Sequence, residues 1–496
     1  MDIIRKKICD SYIYNLVLKI IYICSFSYTM KPSKQKYKKY DISDRRSRTL
    51  KPLYRICRFL DAQCSKIRQY CRKNGIVKSI KKIHMNITTS SVTGKIIKEF
   101  NFAYVLALYL FVDTLLRSRL PSVASIWDEV LFILIIMWLI CRRVFFDKKY
   151  RNSTIDNGLI FFAMVYLILV FLKSPELNIA VEGYRAVVQH MLWFFIMVQL
   201  LDSKKVIYRT IWTFIIGIGF IGVHGIYQYI TKVPMLGDWV DSGETITTRV
   251  YSITRSPNAL GSLLVLFIPI AFAMIFAADD IIKKIIAALS FLAMSLSILF
   301  TFSRGAWLGV FIAILIFFMF MNRRLIIPIV TVITILIMNI DSLWNRVRYL
   351  FTAEYTMKSR NGGRLYRYYM GIQRWSESKL IGVGVGRFGG AVATNHNLTP
   401  FYMDSFYLKT LAEAGIIGLG SFIILLISTM YKLLRYIFGV KIKKDRVIMF
   451  GIFSGLCGVL IQNIVENIFE VPFMVVYFWS LVAIIVSLSK INIEKE

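Results

Sequence analysis

From Asn101 onward the apolar residues gather into runs of bilayer-crossing length, about 17 to 25 residues, separated mostly by short polar turns. They fall near 101–116, 126–146, 157–173, 187–202, 205–230, 258–277, 282–302, 305–322, 325–340, 404–431, 446–465 and 471–489. The pattern predicts an all-α fold, a polytopic membrane helix bundle of about twelve transmembrane helices. Basic turns recur at Arg142–Arg151, Lys204–Arg209, Lys283–Lys284, Arg323–Arg324 and Lys432–Arg446. All five share one side if both termini are cytoplasmic, which satisfies the positive-inside rule. The two long links, 231–257 and 341–403, then lie outside, the second between helices 9 and 10.

Residues 1–98 form a separate region with 24 Lys and Arg against 5 Asp and Glu. Tyr12 to Tyr28 is apolar but interrupted by Lys19, and reads either as a further span or as an interfacial helix. Around 53–71, Leu53, Leu60, Cys64, Ile67 and Cys71 recur at helical spacing among Arg55, Arg58, Lys66, Arg68 and Arg72. A basic amphipathic helix of this kind suits anionic membrane lipids on the cytoplasmic side. Its tether to a membrane domain makes nucleic acid an unexpected partner.

The chain of 496 residues is 56% hydrophobic and only 18% charged, with net charge +33. Soluble chains carry about 25% charged residues, so disorder over most of the length is excluded and a soluble multidomain enzyme is not expected. The seven cysteines include no CxxC pair and have no zinc-type spacing to any of the four histidines. No metal and no other cofactor is expected.

Polar residues with potential chemistry cluster on the side assigned as external. Arg249 and Arg255 flank a helix start in which Ser256 and Pro257 suit N-cap and first-turn positions. Arg304 follows Ser303 in a tight connection and precedes Trp307. Both groups also fit plain interfacial anchoring. Between Arg346 and Arg387 the large link carries nine Lys or Arg against Glu354 and Glu377, which calls for an anionic partner. Within it Arg364, Arg367 and Arg374 share a helix face, and arginine forks suit phosphate. Gly382 to Gly390 is a glycine-rich stretch open to anion approach, but it lacks the strand–turn–helix setting of a dinucleotide site. Asp404 stands where the link meets a span, a place for a helix cap or for a base.

In this order, Pro257-Asn258-Ala259-Leu260-Gly261, Ser303-Arg304-Gly305-Ala306, Gly362-Gly363-Arg364, Gly384-Val385-Gly386-Arg387-Phe388-Gly389 and Asp404-Ser405-Phe406-Tyr407-Leu408-Lys409 through Gly418 resemble the O-antigen ligase and polysaccharide polymerase family. The resemblance covers roughly 245–430 within a 99–496 membrane domain, with 341–403 as its external catalytic loop. It implies transfer from an undecaprenyl-diphosphate-linked glycan donor to a glycan acceptor hydroxyl, outside the bacterial cytoplasmic membrane, without nucleotide or metal. It further implies that Arg249, Arg255, Arg304 and Arg364 contact the diphosphate and that Asp404 is the base, with His396 in reserve. The ligase branch carries His at the position Asp404 occupies, nine residues before the first glycine of Gly415-Ile416-Ile417-Gly418 once Ser405 is passed. The departure favours polymerase over ligase proper. A transporter or flippase of lipid-linked glycans is the alternative of another class, although no internal repeat is visible.

Overall fold

The computed structural model describes residues 51–74, 77–80, 99–146, 150–173, 175–236 and 248–494. The Tyr12–Tyr28 segment lies outside them. In chain order the helices are α1 Lys51–Lys73, α2 Phe102–Ala107, α3 Tyr109–Arg119, α4 Trp127–Phe146, α5 Asp156–Leu172, α6 Leu177–Val188, α7 Trp193–Leu200, α8 Lys204–Ile230, α9 Pro257–Ala277 and α10 Ile281–Phe300. There follow α11 Arg304–Met321, α12 Ile326–Asn339, α13 Asp341–Arg348, α14 Ala353–Arg360, α15 Arg364–Ser376, α16 Ala391–Asn395, α17 Phe406–Gly439, α18 Lys443–Gln462 and α19 Pro472–Glu494. No strand occurs among the described residues.

Among the described residues seven helices are long and apolar enough to cross a membrane: α8 to α11 and α17 to α19. An eighth span forms if Arg323–Asn339 is joined to Asp341–Phe351, but the two are bent by 95°. The other expected spans are shorter, broken or more charged among the described residues. The first divides at Leu108 into α2 and α3, and the freed Leu110 N–H donates to the Tyr477 hydroxyl at 3.0 Å. A span can break only where a neighbour takes over its backbone groups in this way. The helix α4 carries Asp128, Glu129 and Arg143, α5 has 17 residues, and a 3-10 turn at Gln189–Leu192 separates α6 from α7.

The helix α19 runs through the middle of the bundle, with nearly all of its residues buried. It is hydrophobic all round, as a helix enclosed by others must be. Tyr477 and Trp479 meet Phe214 and Phe194 edge to face, with ring centroids 5.2 and 6.0 Å apart. The helix α9 packs on α10, α11 and α18, and α1 packs on α4.

Polar contacts collect at the two ends. At one end Asp445 accepts from Lys204 Nζ at 2.8 Å and from Asn492 Nδ2 at 2.7 Å, while Arg142 pairs with Asp202 at 2.6 Å. At the other end lie the 301–303 turn, the short helices α13 to α16 and the 463–471 link between α18 and α19. The expected large loop is therefore a set of short helices rather than open chain.

The helix α17 is broken at Gly415, whose φ of 63° and ψ of −166° are accessible essentially only to glycine. A Cβ there would lie 2.3 Å from the Leu380 carbonyl oxygen. The break lets Ile416 N–H donate to Lys379 O at 3.0 Å and Ile417 N–H to Leu380 O at 3.1 Å. Gly415→Ala is expected to destabilise the protein by more than the ~1–3 kcal/mol of such a conformation alone, read as a lower unfolding temperature in nanodiscs. An unchanged unfolding temperature would show that the break relaxes freely.

Candidate active site

A cavity of about 270 Å³ opens at the end that carries the short helices. Arg249, Arg304, Arg346, Lys358, Arg364 and Arg367 line it, with Asp404 as the single lining carboxylate. These residues come from the approach to α9, the start of α11, and helices α13, α14 and α15. Two of the helix starts have a local cause in a serine cap. Ser256 accepts from Ala259 N–H at 3.4 Å, with Pro257 in the first turn, and so begins α9. Ser405, not Asp404, caps α17 by accepting from Leu408 N–H at 3.3 Å, so capping does not account for Asp404.

Asp404 is held by two arginines instead, Arg367 Nη1 at 3.1 Å and Arg364 Nε at 3.6 Å. Arg364 also reaches a second carboxylate, donating through Nη2 to Glu466 Oε1 at 2.8 Å. The other Glu466 oxygen accepts from Asn258 Nδ2 at 3.1 Å. Asn258 Oδ1 in turn accepts from Arg249 Nη2 at 3.1 Å, and Arg249 Nε donates to Thr301 O at 2.9 Å. Arg346 Nε donates to Phe302 O at 3.2 Å. The Arg304 guanidinium lies over the rings of Tyr355 and Tyr349, 5.3 and 5.5 Å from their centroids.

Burial pushes the Glu466 carboxyl up to about 7, against the pull of Arg364 and with the help of nearby Asp404. Burial also works against the charge of Arg364, but Glu466 and Asp404 outweigh it and hold the guanidinium above its usual range. The result is a cavity with six positive groups on its wall and one titrating carboxyl behind it. Such a wall fits a multiply charged phosphate group, and the arginine forks can bind its oxygens in pairs.

The structure thus brings together Arg249, Arg304, Arg364 and Asp404. Arg255 is not among the lining residues; it is exposed, with φ of 58°. His396 is also outside the lining, where its Nε2 lies 3.1 Å from Glu182 Oε2. Arg374 pairs with Glu377 at 3.0 Å, away from the other two arginines of its predicted face. Glu466 and Arg346 were not singled out by the sequence. The available signal for Glu466 was its place, with Glu470, in an otherwise apolar stretch between two spans.

The glycine-rich 382–390 stretch is occupied with holding the scaffold together. Gly384 N–H donates to Glu413 O at 3.0 Å, Phe388 N–H to Glu413 Oε1 at 3.0 Å and Gly389 N–H to Thr399 Oγ1 at 3.1 Å. Glu413 is itself paired with buried Lys409 at 2.7 Å. Among the described residues no group of three or more His, Cys, Asp or Glu is arranged to hold a metal ion.

No curated protein matches the chain. Residues 289–423 match a family model described as O-antigen ligase. The matched segment contains Arg304, Arg346, Arg364, Arg367 and Asp404, while Arg249 precedes it and Glu466 follows it. Over residues 289–423 the chain is thus similar to the O-antigen ligase family, consistent with a membrane protein of polysaccharide biosynthesis.

Proposed function

We propose that this protein transfers a glycan from an undecaprenyl-diphosphate-linked donor to an acceptor sugar hydroxyl on the external face of the cytoplasmic membrane, and that it acts as a polymerase. The observation that carries the proposal is the convergence of six cationic side chains and Asp404 on one cavity, all but Arg249 within the segment of the family match. Asp at position 404, where the ligase branch is expected to carry His, favours the polymerase reading. With both termini cytoplasmic, the basic turns face the cytoplasm and the cavity faces outward.

In this reading the arginines grip the diphosphate and Asp404 accepts the proton of the acceptor hydroxyl. The hydroxyl oxygen then bonds to the anomeric carbon of the donor. The bond from that carbon to the diphosphate oxygen breaks, and its electron pair leaves with undecaprenyl diphosphate. Negative charge grows on the leaving oxygen, where preorganised guanidinium groups are most effective. His396, held by Glu182 away from the cavity lining, has no part in this step. Deleting the gene in its own host tests the assignment. Single lipid-linked repeat units should accumulate while long chains disappear. Long lipid-linked chains that remain untransferred would instead identify a ligase.

Glu466 gives the site a pH dependence whose sign is fixed. Its carboxyl titrates at about 7 in the free protein, and a bound diphosphate nearby would raise that further. Binding therefore takes up a proton, so donor affinity should rise as pH falls from 9 towards 7 and level off below. The donor diphosphate is a diester and does not titrate in this window. Glu466→Gln should hold affinity at the low-pH level throughout, as measured by donor binding between pH 6 and 9. An identical pH profile in wild type and Glu466→Gln would remove Glu466 from the site.

A further inference from the structure

A second cavity, of about 200 Å³, opens at the same end of the bundle, between the starts of α4 and α19 and the α6–α7 break. Its polar wall includes Arg117, Asp128, Glu129, Glu182, Arg185, Gln189 and His190. In contrast to the first cavity it has no excess of cations, because Asp128, Glu129 and Glu182 stand against Arg117 and Arg185. Arg185 pairs with Glu129, Gln189 Nε2 donates to Glu129 Oε1 at 3.0 Å, and Tyr109 OH donates to Asp128 Oδ2 at 3.2 Å. An anion has no excess of positive groups to meet here.

Two groups on this wall are left over. His190 is only 9% exposed, its Nε2 lies 3.2 Å from Asp128 Oδ2, and its buried Nδ1 has no hydrogen-bond partner among the described residues. Glu129 Oε2 is likewise buried with no hydrogen-bond donor among the described residues, although the Glu129 carboxyl interacts with that of Asp128. Buried polar atoms are rarely left so unless a ligand or water completes them. A hydroxyl group both donates and accepts, so it answers Glu129 Oε2 and either tautomer of His190. Pro472 and Ala186 add apolar surface to the same wall.

The position of the cavity relates it to the first. The link from Glu466, which contacts Arg364, to Pro472, which lines the second cavity, is six residues and spans at most about 20 Å of chain. Glu182 joins the two regions as well, because it lines this cavity and pairs with His396 of the 341–403 segment. We infer that the second cavity is a saccharide subsite, which holds a neutral sugar ring of the glycan a few units away from the bond being made. The inference rests on the proposed function for the identity of the glycan, and on the geometry of this wall for the site.

Ser125 lines the cavity from an exposed position, and its side chain bonds only to Ser122 O at 2.8 Å, so Ser125→Tyr fills the mouth with little cost to folding. Gln189→Ala opens the wall instead of filling it. The full chain in nanodiscs is titrated with two probes. One is undecaprenyl diphosphate; the other is the repeat-unit oligosaccharide released by mild acid from the lipid-linked pool of the same cells. Both variants should weaken oligosaccharide binding at least fivefold and leave undecaprenyl diphosphate binding within twofold, whereas Arg364→Lys should do the reverse. No oligosaccharide binding by the wild type, or none of it lost in either variant, would overturn the subsite. Failure of the wild type to bind undecaprenyl diphosphate would overturn the proposed function instead, and the oligosaccharide result would still be read independently.

Discussion

Arg364→Lys is expected to lower glycan transfer by about 10²–10³-fold, the usual loss when one preorganised donor to a developing charge is removed. The residue is placed by its own local sequence. Gly362 takes φ of 97°, and a Cβ on Gly363 would lie 2.7 Å from Ser359 Cα, so the Gly-Gly pair allows the tight turn from which α15 starts at Arg364. From there one guanidinium spans two carboxylates, Glu466 through Nη2 at 2.8 Å and Asp404 through Nε at 3.6 Å. A lysine ammonium is a single point of charge on a flexible stem and cannot keep both contacts while facing a phosphate. Folding should survive, because the Glu466 carboxyl already titrates at about 7 and can take a proton when its partner weakens. The checks are transfer by the purified variant in nanodiscs and its unfolding temperature. Transfer near the wild-type rate would reduce Arg364 to a clamp between two acids.

What the sequence disclosed follows from how locally each feature is caused. The spans α9, α10 and α11 were legible because nothing interrupts their apolar runs, and the start of α9 was legible in Ser256-Pro257. The break at Leu108 was not, because the local residues are apolar and the compensation comes from a distant partner; the break at Gln189–Leu192 was not either, since Gln189 and His190 alone do not announce it. Tyr477 takes the Leu110 N–H, and Asp128 faces His190. Gly415 was visible as part of a motif, but only its backbone angles reveal a helix break that seats Leu380 and Ile381. In the site, Arg304, Arg364 and Asp404 stood out through motif and charge. Glu466 is a contact through space from the following helical hairpin, which no spacing within 341–403 can announce. The glycine-rich stretch showed the opposite failure. Its composition invited an anion, but Glu413 and Thr399 already accept its N–H groups.

Asp404→Asn should abolish transfer to within the 10²–10⁴-fold that a general base typically contributes, while folding and donor binding stay close to normal. The helix start does not depend on Asp404, because Ser405 caps α17. An asparagine at 404 keeps the shape and one carbonyl oxygen for Arg367, which now donates to Asp404 Oδ2 at 3.1 Å. Only the negative charge and the capacity to take a proton are lost. Removing a carboxylate from a wall of six cations should if anything tighten donor binding, so the variant separates chemistry from affinity. The decisive comparison is single-turnover transfer against donor affinity in the same nanodisc preparation. Wild-type transfer by Asp404→Asn would leave Asp404 as an electrostatic brace for Arg364 and Arg367. The proton would then have to go to Glu466, the other carboxylate that Arg364 touches, and Glu466→Gln would become the variant that stops the reaction.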